Sequence, residues 1–82
     1  MKIYDYNGRK NISGNRIREA RLKCRLTQED FAAKLQLAGI TIERDSISRI
    51  EIGTRFVADF ELMVIAQILN VTVEWLLSSD NE

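Results

Sequence analysis

The chain has 82 residues, 29% of them charged and 45% apolar, a composition typical of one small folded domain. It contains no histidine and a single cysteine, Cys24, which excludes an internal disulfide, zinc sites built on Cys/His clusters and the commonest general base. We therefore expect no enzyme activity, no cofactor and no metal. The most apolar window, residues 62–77, is interrupted by polar residues and is too short to span a membrane, and no signal-peptide core precedes it. We expect a cytoplasmic protein without a membrane partner.

The charges are separated along the chain although they cancel overall. Residues 1–27 contain eight basic and two acidic residues, whereas residues 56–82 contain five acidic residues and no basic one. Two readings remain open at this point. The charged residues form two ordinary solvated faces, or the N-terminal part meets phosphate while the acidic part faces away from it.

Hydrophobic periodicity predicts five helices, an all-α fold, at residues 15–24, 28–37, 44–52, 59–69 and 73–78. In the first helix, Cys24 falls on the apolar stripe and is predicted to be a small buried side chain. Thr27 is a good N-cap for the second helix, with Asp30 as its capping partner. Gly53 is predicted to end the third helix as a left-handed cap.

The rest of the chain is predicted to be connections and ends. A flexible N-terminal arm is expected over residues 1–14, one domain over residues 15–78 and a tail over residues 79–82. The connection over residues 36–43 is long for a helix pair. Because it contains the apolar Ile40 and Ile42, we expect it to pack down as an ordered segment.

Three segments occur in an order that points to a family: RIREARLKCRLTQEDFAAKL, ISRIEIGTR and DFELMVIAQILNVTVEWLL. Together they resemble the helix-turn-helix repressors of the phage repressor and Cro type, often called Xre-like, over residues 15–78. The resemblance implies a compact five-helix bundle that contains a helix-turn-helix. It also implies a transcriptional regulator, expected to be a repressor, that binds double-stranded DNA with the helix around residues 44–52 in the major groove.

The resemblance also implies roles for individual residues. Arginine suits guanine and a carboxylate suits the cytosine amine, and the family's base-reading positions correspond to Arg44, Asp45, Ser48 and Arg49. Phosphate contacts are expected from Gln28, Arg55, Arg16 and Arg18. For each of these residues, a solvated polar position is the alternative. An internal ion pair is implied between Arg21 and Glu51.

The C-terminal part has more apolar surface than one side of a single bundle needs. Because the family often pairs through its last helices, we expect a homodimer whose interface uses Val64, Ile68, Val73, Trp75 and Leu77. In the alternative, Trp75 fills the core of one chain.

Two further residues depart from the family's pattern. Arg25 stands where glycine is common, and Ala58 stands where a Ser or Thr cap is usual, which leaves Asp59 or Glu61 to help the fourth helix start. A second function stays open because the net charge is zero and because acidic residues lie near the expected reading face, namely Glu29, Asp30, Glu43 and Asp45. The alternative is therefore a protein-interaction module, such as an antitoxin-like bundle, with DNA binding secondary or lost.

Overall fold

Five α-helices account for most of residues 5–78, the part of the chain that the computed structural model describes. They are α1 (Gly14–Lys23), α2 (Gln28–Leu37), α3 (Arg44–Ile52), α4 (Asp59–Leu69) and α5 (Val73–Leu76). The predicted all-α fold is confirmed, and so are the bounds of the second, third and fourth helices. The first helix begins and ends one residue earlier than predicted, and the fifth is shorter. Residues 1–4 of the predicted arm and the predicted tail over residues 79–82 lie outside the described residues.

Local capping explains where the helices begin and end. At the start of α2, Thr27 Oγ1 accepts a hydrogen bond from Asp30 N at 3.0 Å, and Asp30 Oδ2 accepts one from Thr27 N at 3.3 Å. At the start of α4, Ala58 has no polar side chain, and Glu61 Oε1 accepts a hydrogen bond from Ala58 N at 3.0 Å instead. Gly53 ends α3 in the left-handed conformation, with φ 91°. These contacts satisfy backbone groups that a helix leaves without intrahelical partners at its ends.

The core lies between α1, α2 and α4, with α3 packed against both α1 and α2. α5 covers one end of the bundle through contacts with α1 and α4. The buried apolar residues are Ile17, Ala20, Phe31, Ala32, Leu35, Ile42, Ile47, Ile50, Leu62, Ile65, Ala66, Leu69 and Leu76. Every helix in residues 5–78 is too short to span a bilayer.

The long connection between α2 and α3 is ordered, as predicted. Ile42 is buried in the core and Ile40 packs partly against it. Gln36 Nε2 donates a hydrogen bond to Ile42 O at 2.8 Å, which ties the connection to the last turn of α2. The extra residues therefore extend the core beneath α3.

The prediction of a buried Cys24 is wrong. α1 ends at Lys23, Cys24 is its C-cap, and the side chain is exposed with Sγ 3.6 Å from Leu69 O. Cys24 keeps a helical conformation and its N–H donates to Ala20 O at 3.0 Å, but the helix goes no farther, because Arg25 adopts the left-handed conformation with φ 59°. The helical phase therefore holds at Cys24, and the burial inferred from that phase does not.

Part of the predicted flexible arm over residues 1–14 forms hydrogen bonds with the bundle. Tyr6 and Arg9 form an isolated antiparallel bridge around a turn at Asn7 and Gly8. Beyond this turn the chain does not extend into solvent: Lys10 N donates a hydrogen bond to Gly53 O at 2.7 Å, and Gly14 already belongs to α1. Residues 9–14 are thus attached to the bundle, since they supply hydrogen-bond donors to the end of α3.

Candidate nucleic-acid interface

The outer side of α3 presents polar side chains away from the core. The side chains of Arg44 and Asp45 are 61% and 75% exposed, Arg49 is exposed and Ser48 is half-buried. All four predicted base-reading residues therefore lie on one helix and retain access to solvent. A helix has a diameter of about 10–12 Å with its side chains, which fits the width of the major groove, about 12 Å.

Arg44 and Asp45 form a loose contact with each other. Arg44 Nη1 lies 3.7 Å from Asp45 Oδ1, and both side chains are largely exposed. Exposed ion pairs contribute about 0–1 kcal/mol, because water solvates both charges and the two side chains lose conformational entropy. Either side chain can therefore exchange this partner for another at small energetic cost.

The inner side of α3 carries a buried ion pair with α1. Arg21 Nε donates to Glu51 Oε2 at 2.7 Å and Arg21 Nη2 donates to Glu51 Oε1 at 3.1 Å. Both residues are 6% exposed. Arg21 Nη1 also donates to Leu26 O at 2.7 Å, so the same guanidinium links α3 to the turn between α1 and α2. This bidentate geometry fixes direction as well as distance between the two helices.

Gln28, a predicted phosphate contact, is connected to this pair. Its Nε2 donates to Glu51 Oε1 at 3.1 Å, which joins the start of α2 to the inner side of α3. The side-chain nitrogen is thus engaged inside the protein. A phosphate contact by Gln28 would use the remaining atoms of the residue or exchange this bond. The sequence offered no signal for the contact with Glu51, which lies 23 positions away.

Arg55, another predicted phosphate contact, is held by a carboxylate. Its Nη1 and Nη2 each donate to a separate oxygen of Glu61 at 3.1 Å, and the side chain is 25% exposed. Burial by itself would raise the pKa of Glu61. The hydrogen bonds from Arg55 and from Ala58 N, together with the positive charge of Arg55, outweigh burial and hold the pKa of this carboxyl below its ordinary value. The side chain of Arg55, in the loop after α3, is therefore held against Glu61 and does not extend into solvent.

The two predicted phosphate contacts on α1 differ in their surroundings. The guanidinium carbon of Arg16 lies 4.6 Å from the ring centroid of Trp75, and the residue is half-buried. Arg18 is exposed. The cation–π contact ties α1 to α5 and gives Arg16 a packing role. Of these two residues, Arg18 presents the more accessible charge.

Most of the predicted dimer residues pack against the core of the bundle. Those that pack partly against the core are Val64, Ile68, Val73 and Trp75, whereas Leu77 is 44% exposed. The alternative for Trp75, that it packs within one chain, describes part of what the structure shows. Two more exposed apolar side chains lie on α4, where Phe60 is 57% exposed and Met63 is 51% exposed.

Sequence reasoning missed the residues that join the N-terminal segment to α3. Asn11 Nδ2 donates to Ile50 O at 3.0 Å and to Arg55 O at 2.7 Å. Asn followed by Gly at positions 7–8 is a turn signal, and an Asn shortly before a helix often bonds to nearby backbone, so a local signal for order was present. The distant partners of Asn11 could not be predicted from the sequence.

Within residues 5–78, no group of three or more His, Cys, Asp or Glu residues is placed to hold a metal.

A helix with a buried inner side and an exposed polar outer side, joined to a second helix by an ordered connection, defines a small DNA-binding domain of the helix-turn-helix class. The helix-turn-helix family model matches residues 17–76, well over half of the chain, and the chain belongs to this family in its Xre/Cro/C1-type form. It is therefore a DNA-binding regulatory domain. No curated protein and no solved structure matches the chain.

Proposed function

We propose that the protein recognises specific sequences in double-stranded DNA and represses transcription, with α3 in the major groove. The observation that carries this proposal is the division of α3 into two sides. Glu51 on the inner side is held by Arg21, while Arg44 and Arg49 on the outer side are exposed. A reading helix needs both properties, because its side chains must reach base edges from a backbone that does not move.

Base choice is assigned to the outer side of α3. Arg44 and Arg49 can each donate two hydrogen bonds to the O6 and N7 atoms of guanine, and Asp45 can accept from the cytosine N4 amine. Ser48 lies between them on the same side and can donate to or accept from either kind of base. The contact between Arg44 and Asp45 would be exchanged for these base contacts on binding.

Backbone contacts are assigned to the surroundings of α3. The free amides at the start of α2 suit a phosphate, and Gln28 stands at this position. Arg18 is exposed and can approach the backbone directly. Arg55 and Arg16 are held by Glu61 and Trp75, and we propose that they contact phosphate through the accessible edges of their guanidinium groups.

A repressor of this kind would act by occupying an operator and excluding the transcription machinery. We further propose that it binds as a homodimer, with the residues Val64, Ile68, Val73, Trp75 and Leu77 as the predicted interface. Two-fold symmetry would place two copies of α3 about 34 Å apart along the duplex, one helical turn. The preferred DNA site would then contain two inverted half-sites.

Selection of bound duplexes from a random library tests this proposal. We expect one sequence motif to be enriched, and its affinity to fall by orders of magnitude between low and moderate salt as counterions return to the phosphates. Inverted repeats in the enriched motif would support the dimer. If no sequence is enriched and the protein instead binds one protein partner, the proposal of sequence-specific DNA recognition is wrong. The alternative, a protein-interaction module, is then supported.

A further inference from the structure

The segment before α1 supplies hydrogen-bond donors to the C-terminal end of α3. Lys10 N donates to Gly53 O at 2.7 Å, and Arg9 Nη1 donates to Ile52 O at 3.4 Å. The last carbonyl groups of an α-helix have no intrahelical donors, so they need partners from elsewhere. Here the partners come from residues that precede the first helix by a few positions.

Asn11 makes the central contacts of this segment. Its Nδ2 donates to Ile50 O at 3.0 Å and to Arg55 O at 2.7 Å, and its Oδ1 accepts from Gly14 N at 2.8 Å. One planar carboxamide therefore joins the last turn of α3, the loop after α3 and the first residue of α1. A group with two donors and one acceptor in this arrangement is supplied only by Asn or Gln.

α1 and α3 also approach each other closely at the same place. A Cβ atom on Gly14 would collide with the carbonyl oxygen of Ile50, so the start of α1 can lie there only because residue 14 is glycine. Farther along α1, Arg21 holds Glu51. Gly14 and Arg21 are separated by about 10 Å along the helix, at about 1.5 Å per residue. Two attachments at this separation restrict how α3 can tilt on α1.

We propose that Asn11 is a positioning residue for DNA recognition: its carboxamide sets the orientation of the end of α3 and of the loop at Arg55 relative to α1. This inference rests on the proposed docking of α3 in the major groove. Base contacts depend on hydrogen-bond distance and angle, whereas attraction to phosphate falls off gradually with distance. Loss of the carboxamide therefore reduces discrimination between DNA sequences more than it reduces binding to DNA in general.

Two substitutions separate the contacts of Asn11. Asn11→Ala removes all three hydrogen bonds. Asn11→Asp keeps an acceptor for Gly14 N but replaces both donors by a carboxylate oxygen that repels Ile50 O and Arg55 O, so it breaks the connection to α3 while the acceptor for the start of α1 remains. Gln67→Ala is the matched control, since Gln67 is an exposed side-chain amide on α4.

Amide hydrogen exchange in the free protein is the first measurement. The amides of Gly53 and Thr54 donate to Arg49 O and report on the end of α3. Loss of two hydrogen bonds should speed their exchange by about tenfold or more in both Asn11 variants, with the amides of α4 unchanged. A merely structural role would speed exchange in α4 by the same factor, and this result or unchanged exchange at Gly53 and Thr54 would overturn the proposal.

The second measurement is the ratio of affinities for the selected duplex and for a random duplex. We expect this ratio to fall by about tenfold in Asn11→Ala and Asn11→Asp and to stay unchanged in Gln67→Ala. An unchanged ratio in the Asn11 variants overturns the role in recognition. If the natural protein itself prefers no duplex, the proposed function fails, and the exchange at Gly53 and Thr54 then decides whether Asn11 positions α3.

Discussion

The two sides of α3 each carry an arginine–carboxylate pair, and the two pairs have opposite properties. On the inner side, Arg21 Nε and Glu51 Oε2 are 2.7 Å apart, with side chains 7% and 4% exposed. On the outer side, Arg44 Nη1 and Asp45 Oδ1 are 3.7 Å apart, with side chains 61% and 75% exposed. When its partner is removed, a buried charge is left without solvation, whereas an exposed charge is solvated by water. Burial therefore makes one pair a fixed support and leaves the other available to a ligand.

The largest expected effect comes from breaking the inner pair. Arg21→Ala leaves the Glu51 carboxylate buried without its main donor and should lower the free energy of unfolding by about 3–5 kcal/mol, measured by urea denaturation. Arg18→Ala, which removes an exposed arginine from the same helix, should change it by about 0.5 kcal/mol or less. Equal losses in the two variants would contradict the contrast between the inner and outer sides.

The next largest effect is expected on the outer side of α3, where substitutions should change the affinity for DNA but leave the free energy of unfolding unchanged. Arg49→Ala should weaken binding to the selected duplex by about 1–3 kcal/mol and relax base preference at one position. Arg49→Lys keeps the charge but not the two parallel donors, so we expect it to lose the same base preference while retaining more of the general affinity. Binding to a set of single-base variants of the duplex measures this. Uniform weakening on all of them would mean that Arg49 contacts phosphate.

The Arg55–Glu61 pair, in the loop that follows α3, predicts a dependence on pH. Folding lowers the pKa of Glu61 from its ordinary value of 4.5. The ionised Glu61 carboxylate therefore contributes its full stabilisation at pH values above 4.5, and this stabilisation is lost as the pH falls through the lowered pKa. Glu61→Gln should therefore be less stable than the natural protein at neutral pH, and the difference should shrink on acidification. Urea midpoints over a pH series measure it.

Glu43→Gln is the control for this series, since Glu43 is an exposed carboxylate at the start of α3 that forms no side-chain cap. The change with pH in the Glu61→Gln difference is compared with the change in the Glu43→Gln difference over the same series. A difference for Glu61→Gln that stays constant from neutral to acidic pH would show that the pair contributes nothing through ionisation.

The smallest expected effect on stability comes from the outer pair. Asp45→Asn breaks the contact with Arg44 but should alter the free energy of unfolding by about 0.5 kcal/mol or less. The same change should remove any preference for cytosine that Asp45 provides, because an amide can donate as well as accept. A stability loss similar to that of Arg21→Ala would show that exposure does not separate the two pairs.

Most of the helical architecture could be predicted from local signals. The bounds of α2 follow from the capping pair Thr27 and Asp30, and the end of α3 follows from Gly53, because each signal acts on neighbouring backbone. The family resemblance added the ion pair of Arg21 with Glu51. Cys24 shows the limit of such reasoning, since its helical phase was correct but its side chain lies at the end of α1 and is exposed.

The sequence by itself determined which segments form helices, which sides of them are apolar and that α3 carries arginines on its polar side. The tertiary structure decided which partner each polar side chain has: Glu61 for Arg55, Trp75 for Arg16, and the end of α3 for Asn11. The reason is physical. Capping and periodicity depend on residues a few positions apart, whereas Asn11 meets Ile50 only after the core has brought α1 and α3 together.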